Sequence, residues 1–318
     1  MAVMWAIVRR FGLLALGVVA LWLLTVLALN LTLFSATSFV TSYLKALESS
    51  DYGLAASHAG LTRAPQILPL ASEALENPRI VGTSSLPTGE LVIQADYELG
   101  DDTHSTVFVV TGGEPILWFF DTWRFSRQPL ANLQFAVIGD ERVSVNGTDL
   151  DVGDLGVPPR TTVLVPGIYS SSLDTEWVQA EPVVSVMTEV GAPAGVRLVV
   201  SPTNALMENT TGALEAYLDG CAAQAVLQPA ECPFGVSISD RVVGAVQWTI
   251  LDYPEIDLRL SADRATWTMV AESGGAEVTV QVQSLFDGSI TEFRDTEEFD
   301  VVGVVRGTST DQPVLNLY

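Results

Sequence analysis

An α+β protein carrying one N-terminal transmembrane helix is predicted by three observations. An uncharged apolar stretch runs from Phe11 to Phe34, helical periodicity fills the residues directly after it, and period-two alternation takes over from Glu90. Apolar residues make up 48% of the 318 and charged ones 17%, enough apolar content for the chain beyond the stretch to bury proper cores. The formal charge of −23 is uneven, because Arg9, Arg10 and Lys45 are the only charges before Glu48. An ectodomain this acidic repels phosphate backbones and anionic headgroups, which argues against nucleic acid as a partner. The skew toward Ala, Val, Asp and Arg, with Lys45 the single lysine, looks like a high-GC bacterial coding bias.

The apolar stretch reads FGLLALGVVALWLLTVLALNLTLF. At 1.5 Å per residue, about 20 such residues cross a hydrocarbon core of about 30 Å. Arg9 and Arg10 precede it and no basic cluster follows, so the positive-inside rule leaves residues 1–10 cytoplasmic and everything after Phe34 outside. So short a tail cannot fold into an effector, and any inward signal is expected to pass through a partner's transmembrane helices. The run exceeds a cleavable signal's apolar region, and the best cleavage candidate, Phe34-Ser35-Ala36, puts a bulky residue where a small one is needed. An uncleaved signal anchor over 11–34 is therefore expected, with Trp22 in mid-span contacting lipid or another helix.

Helix is expected over Thr37–Ala59, with Phe39, Val40, Tyr43, Leu44 and Leu47 on one stripe and a break at Ser50-Asp51. A third helix is expected over Pro69–Asn77. Strands follow over Glu90–Leu99, His104–Thr111 and Ile116–Ser126, separated by Gly100-Asp101-Asp102 and Gly112-Gly113. Phe39-Val40-x-x-Tyr43-Leu44-x-Ala46-Leu47, Asp51-Tyr52 and the closing strand Trp118–Phe125 resemble the NTF2-like (cystatin-like) family of small cone-shaped domains. That resemblance covers 36–129 and implies a sheet curling around the first helix. Enzymatic members place Asp, His or Tyr inside the cone, whereas the inward strand positions here look apolar.

Residues 130–190 read as a small β-rich domain. Glu141–Val145 runs into Asn146-Gly147, a hairpin signal, Thr161–Val165 ends at Pro166-Gly167, and Glu176–Met187 continues the sheet. Val143-Ser144-Val145-Asn146-Gly147 and Val165-Pro166-Gly167-Ile168-Tyr169 resemble PEGA-type sandwiches, which implies a spacer. Gly191-Ala192-Pro193-Ala194-Gly195 is expected to be a flexible break. A second α+β domain spans 196–318: Ser201-Pro202-Thr203-Asn204 caps a helix to about Gln224, and strands follow over Val242–Ile250, Glu255–Leu260, Ala265–Glu272, Ala276–Phe286 and Phe299–Arg306. The helix-then-meander order repeats that of the first domain, which suggests a duplication. The whole order resembles TcaA-like envelope proteins, although the cytoplasmic zinc ribbon of that family is missing here. The cysteine segment resembles a stretch recurrent in actinobacterial envelope proteins.

Cys221 and Cys232, both placed outside the membrane, are expected to form a structural disulfide. A zinc site needs four ligands and neither His58 nor His104 is near in sequence, while a redox pair favours closer spacing. No nucleophile motif accompanies either histidine, so both are expected at the surface and no catalytic, cofactor or metal residue is assigned. Asp149-Leu-Asp151-Val-Gly-Asp154 misses the calcium-loop pattern and, like Asp101-Asp102, is expected to be solvated. Trp118, Phe119, Phe120, Trp123, Trp248 and Trp267 are expected in the core. Two functions remain: a non-enzymatic envelope protein that binds or scaffolds another envelope or membrane protein, and a carboxylate-dependent envelope hydrolase. Polar residues facing into a cone discriminate between them.

Overall fold

A computed structural model describes residues 2–61, 71–151, 160–308 and 312–318; for residues 2–13 and 151 only the backbone is described. The fold is mixed α+β, with 48% strand and 20% helix. Helix α1, Ala2–Leu31, is about 45 Å long at 1.5 Å per residue. Its window Leu14–Leu31 has a mean hydropathy of 2.4, and none of its residues is buried. It is long and apolar enough to cross a membrane or to serve as a signal sequence. Arg9 and Arg10 lie on this helix, with their side chains outside the described residues.

The chain forms two compact units, one of residues 1–136, 144–171 and 183–196, the other of 137–143, 172–182 and 197–318. In the first, Ser35 caps α2 (Ala36–Glu48) by accepting from the Ser38 N–H at 3.2 Å. Asp51 caps α3 (Tyr52–His58) by accepting from the Leu54 N–H at 3.0 Å. The positive φ of Ser50 makes the break between them. Strands β1 (Glu76–Ser85), β2 (Leu91–Leu99), β3 (Asp102–Gly112) and β4 (Trp123–Phe125) form an antiparallel sheet in sequence order. Val40, Tyr43, Leu44 and Leu47 of α2 are buried, as are Ile93, Tyr97, Phe108 and Phe125 of the sheet. Burial of each such side chain stabilises by about 1.5–3 kcal/mol.

Two expectations fail in this unit. Residues 71–75 are not helical, and β1 begins at Glu76; residues 69–70 lie outside the described part. The Ser72 N–H and Oγ both donate to the Ile168 carbonyl, a tertiary pairing that outweighs local helix propensity. Ile116–Ser126 is not one strand either. Ile116 and Phe120 form an isolated bridge around a tight turn, and β4 is all that remains of the strand.

The middle strands are β5 (Leu130–Ile138), β6 (Arg142–Val145), β7 (Thr148–Asp151), β8 (Arg160–Leu164), β9 (Gly167–Asp174), β10 (Val178–Met187), β11 (Pro193–Val199) and β12 (Ser201–Pro202). They form two sheets, ordered β11-β5-β8 and β12-β10-β9-β6-β7. Asn146 and Gly147 both have positive φ, the requirement of the tight turn joining β6 to β7. The stretch expected to be a flexible break is ordered structure, since Pro193 begins β11 and the Gly191 N–H donates to the Leu130 carbonyl.

In the second unit Thr203 caps α4 (Asn204–Ala222), whose Leu206, Leu214, Leu218 and Cys221 are buried. Strands β13 (Arg241–Val242), β14 (Gln247–Asp252), β15 (Glu255–Leu260), β16 (Trp267–Gln283), β17 (Ile290–Arg306) and β18 (Val314–Leu317) form one sheet. The expected strand over 242–250 is split into β13 and β14. The two strands expected at 265–272 and 276–286 are instead the single β16. The gap between them is a bulge at Ala271–Gly274, where Ser273 has positive φ and its N–H donates to Asp300 at 3.0 Å. A Cβ on Gly274 would lie 2.5 Å from the Phe299 ring, so glycine lets that ring cover the bulge.

Candidate functional site

Three buried tyrosines lie inside the first unit, Tyr43 on α2, Tyr97 on β2 and Tyr169 on β9. The Tyr43 hydroxyl donates to the Val165 carbonyl at 2.6 Å from a fully buried position. Burial pushes this phenol well above its usual value, and neighbouring Tyr169 pushes it further. Tyr169 in turn donates to the Leu164 carbonyl at 2.7 Å, and burial raises it as well. Tyr97 and Thr106 share a 2.5 Å hydrogen bond; because Thr106 donates to the Thr188 carbonyl, the Tyr97 hydroxyl is the donor to Thr106. Burial raises Tyr97 to about 12.

Each phenol proton is thus committed to a fixed acceptor, and each group resists ionisation throughout the neutral range. A general base needs an accessible lone pair and a pKa near the working pH, and these groups offer neither. Among the described residues the buried polar or charged side chains are Thr106, Asp140, Ser171, Thr210 and Thr308. The buried carboxylate, Asp140, belongs to the second unit and accepts a bidentate contact from Arg142, at 2.9 Å from Nε and 2.8 Å from Nη2. The sequence had shown apolar inward positions but missed the tyrosine hydroxyls. Tyr43 and Tyr97 fall on the buried stripes, and a buried phenol demands an acceptor, which was the available signal.

Two open clefts lie elsewhere. One, of about 250 Å³, is lined by Ser35, Phe39, Ser42, His58, Asp121 and Trp123, all in the first unit. Its serines are engaged: Ser35 Oγ donates to the Thr32 carbonyl at 2.8 Å and Ser42 Oγ to the Ser38 carbonyl at 2.9 Å. His58 is half-buried rather than fully at the surface, sits edge-on to Phe39, and is lowered below its usual 6.5 by burial. The other cleft, also about 250 Å³, is lined in the second unit by Asp174, Gln179 and Glu181 along β9 and β10. It holds two carboxylates, without a histidine.

Cys221 and Cys232 are bonded, with their Cα atoms 5.7 Å apart. Gln224 holds the enclosed loop through Ala230, and Tyr217 donates to the Glu231 carbonyl. His104 packs on Tyr97, and Asp101, Asp102 and Asp149 are exposed. Asp154 and the side chain of Asp151 lie outside the described residues, and among those described no group of His, Cys, Asp and Glu could hold a metal. Trp248 and Trp267 are core residues as expected, but Phe120 and Trp123 are only half-buried, Trp118 is 92% exposed, and Phe119 is exposed beside it. Comparison with protein-family models, curated proteins and solved structures found no match to this chain.

Proposed function

We propose that this chain is a non-enzymatic, membrane-anchored protein of a bacterial cell envelope, with its N-terminus cytoplasmic and its folded units outside, which binds or scaffolds another envelope or membrane protein. The observation that carries the reading is the interior of the first unit, where the buried hydroxyls of Tyr43, Tyr97 and Tyr169 are each committed to a fixed acceptor. α1 supports the anchor, and the flanking Arg9 and Arg10 support its orientation. The Cys221–Cys232 disulfide fits an oxidising compartment outside the cytoplasm. In this reading α2 and β1–β4 form an NTF2-like, cone-type domain. The β-rich middle is a PEGA-like spacer, and the plan as a whole is TcaA-like. The test is cross-linking of the tagged full chain in native membranes, followed by mild solubilisation and capture. A stoichiometric envelope or membrane protein is expected, and recovery of the chain alone overturns the proposal.

A further inference from the structure

We infer that the turn Ile116–Phe120 is a second membrane contact, which inserts its aromatic tip into the lipid beside α1. This rests on the reading of α1 as a membrane anchor, and it adds a surface which that reading does not contain.

The turn joins β3 to β4 and carries five apolar residues in a row, bounded by Glu114-Pro115 on one side and Asp121 on the other. Leu117 and Trp118 both adopt positive φ, a conformation rare for bulky side chains. Trp118 is 92% exposed and Leu117 69%, and Ile116 is exposed next to them. A soluble surface gains nothing from bending the backbone to display such residues to water, whereas a lipid-facing one does.

Where the turn sits supplies the second argument. Phe119 packs edge-on against Trp22 with ring centroids 4.6 Å apart, and Phe120 stacks on Phe34 at 4.6 Å. Trp22 lies within the apolar window of α1, about 13 Å along the axis from its last residue, Leu31. A hydrocarbon core is about 30 Å thick, so a side chain touching Trp22 lies well below the outer end of the span. The solvent around Trp22 is therefore the solvent around Phe119 and its neighbour Trp118.

The base of the turn is satisfied internally, which lowers the cost of placing irregular backbone in lipid. The Ile116 N–H donates to the Phe120 carbonyl, and the Phe119 and Phe120 N–H groups both donate to the Ile116 carbonyl. Asn30, the one amide side chain near the end of α1, adds two further contacts. Its Nδ2 donates to the Phe119 carbonyl at 2.8 Å, and its Oδ1 accepts from the Asp121 N–H at 3.2 Å. Trp123 Nε1 donates to the Phe34 carbonyl at 2.8 Å, tying β4 to the same end of the helix. A polar residue that is costly at the end of a span is thereby spent on fixing the turn. With two contacts the first unit cannot swivel about α1, so one face of it is held toward the bilayer.

The test uses the full chain in phosphatidylcholine vesicles. Both native cysteines are in the disulfide, so a Trp118→Cys variant offers one free thiol for an environment-sensitive fluorophore; Thr88→Cys, on the exposed β1–β2 turn, is the control. At position 118 quenching by acyl-chain nitroxide lipid is expected to exceed quenching by aqueous iodide at least threefold, with the order reversed at position 88. Iodide quenching at 118 equal to that at 88 overturns the inference. So does a label that neither agent reaches, since it marks cover by protein. Flotation of the same vesicles after an alkaline wash separates the two readings: protein lost from the vesicles overturns the anchor itself, while floating protein with a water-exposed label overturns only the turn.

Discussion

The two units each lay an amphipathic helix on an antiparallel sheet, and they fasten it in different ways. In the first, α2 is secured by a hydrogen bond from Tyr43 to the Val165 carbonyl, 122 residues away in sequence. In the second, α4 is secured at its end by the Cys221–Cys232 bond, across 11 residues, with Tyr253 donating to Asp219 at 2.5 Å and Tyr217 reaching Glu231. The first device is buried and long-range, so it closes the interior. The second is local, so it pins a helix end to its following loop and leaves the interior to apolar packing by Leu206, Leu214 and Leu218. The difference teaches where each unit is vulnerable: one to loss of a hydroxyl or to ionisation, the other to reduction.

The largest effect is expected from the covalent device. Replacing both cysteines, as Cys221→Ser with Cys232→Ser, should cost about 3 kcal/mol through the entropy of the short loop it closes, read as a lowered urea midpoint. The wild type in reductant should move equally. Tyr43→Phe should cost about 1–3 kcal/mol, because the Val165 carbonyl loses its donor in a dry interior. Tyr217→Phe should cost less, since its partner lies in an exposed loop.

A third prediction concerns alkaline pH. Tyr97 is raised to about 12 in the fold and is near 10 when unfolded, so the unfolded chain releases its proton first. Its contribution is present below pH 10 and is lost as pH rises from 10 toward 12. The absorbance of phenolate should show Tyr43, Tyr97 and Tyr169 ionising together with unfolding, and Tyr97→Phe should weaken the fall in stability over that window. The smallest effect is expected at His58. Its pKa is lowered in the fold, so below 6.5 the unfolded chain binds the extra proton and stability declines as pH falls. His58→Gln should flatten that acid-side slope and leave stability above pH 7 unchanged.

Much of this fold was legible because its signals are local. The stripe of α2, the break at Ser50-Asp51 that caps α3, the alternation of β2 and the Asn146-Gly147 turn all lie within a few residues of what they specify. The cysteine pair is equally local. Signals that depend on distant partners were not legible. Residues 71–75 read as helix until Ser72 finds Ile168, and the apolar stripes gave no hint that Tyr43 meets Val165. Ile116–Phe120 failed for another reason: an apolar run announces removal from water without saying whether protein or lipid provides it. Leu285 and Phe286, exposed at the turn between β16 and β17, carry the same ambiguity, but nothing beside them resolves it.

The central claim is an anchored protein whose folded units lie outside the membrane. It is tested most directly by treating intact spheroplasts with protease, using a chain tagged at both ends. The account predicts that the C-terminal tag is destroyed while the N-terminal tag survives in the membrane fraction until the cells are lysed. Survival of the C-terminal tag in intact spheroplasts, or loss of the N-terminal tag before lysis, would contradict it.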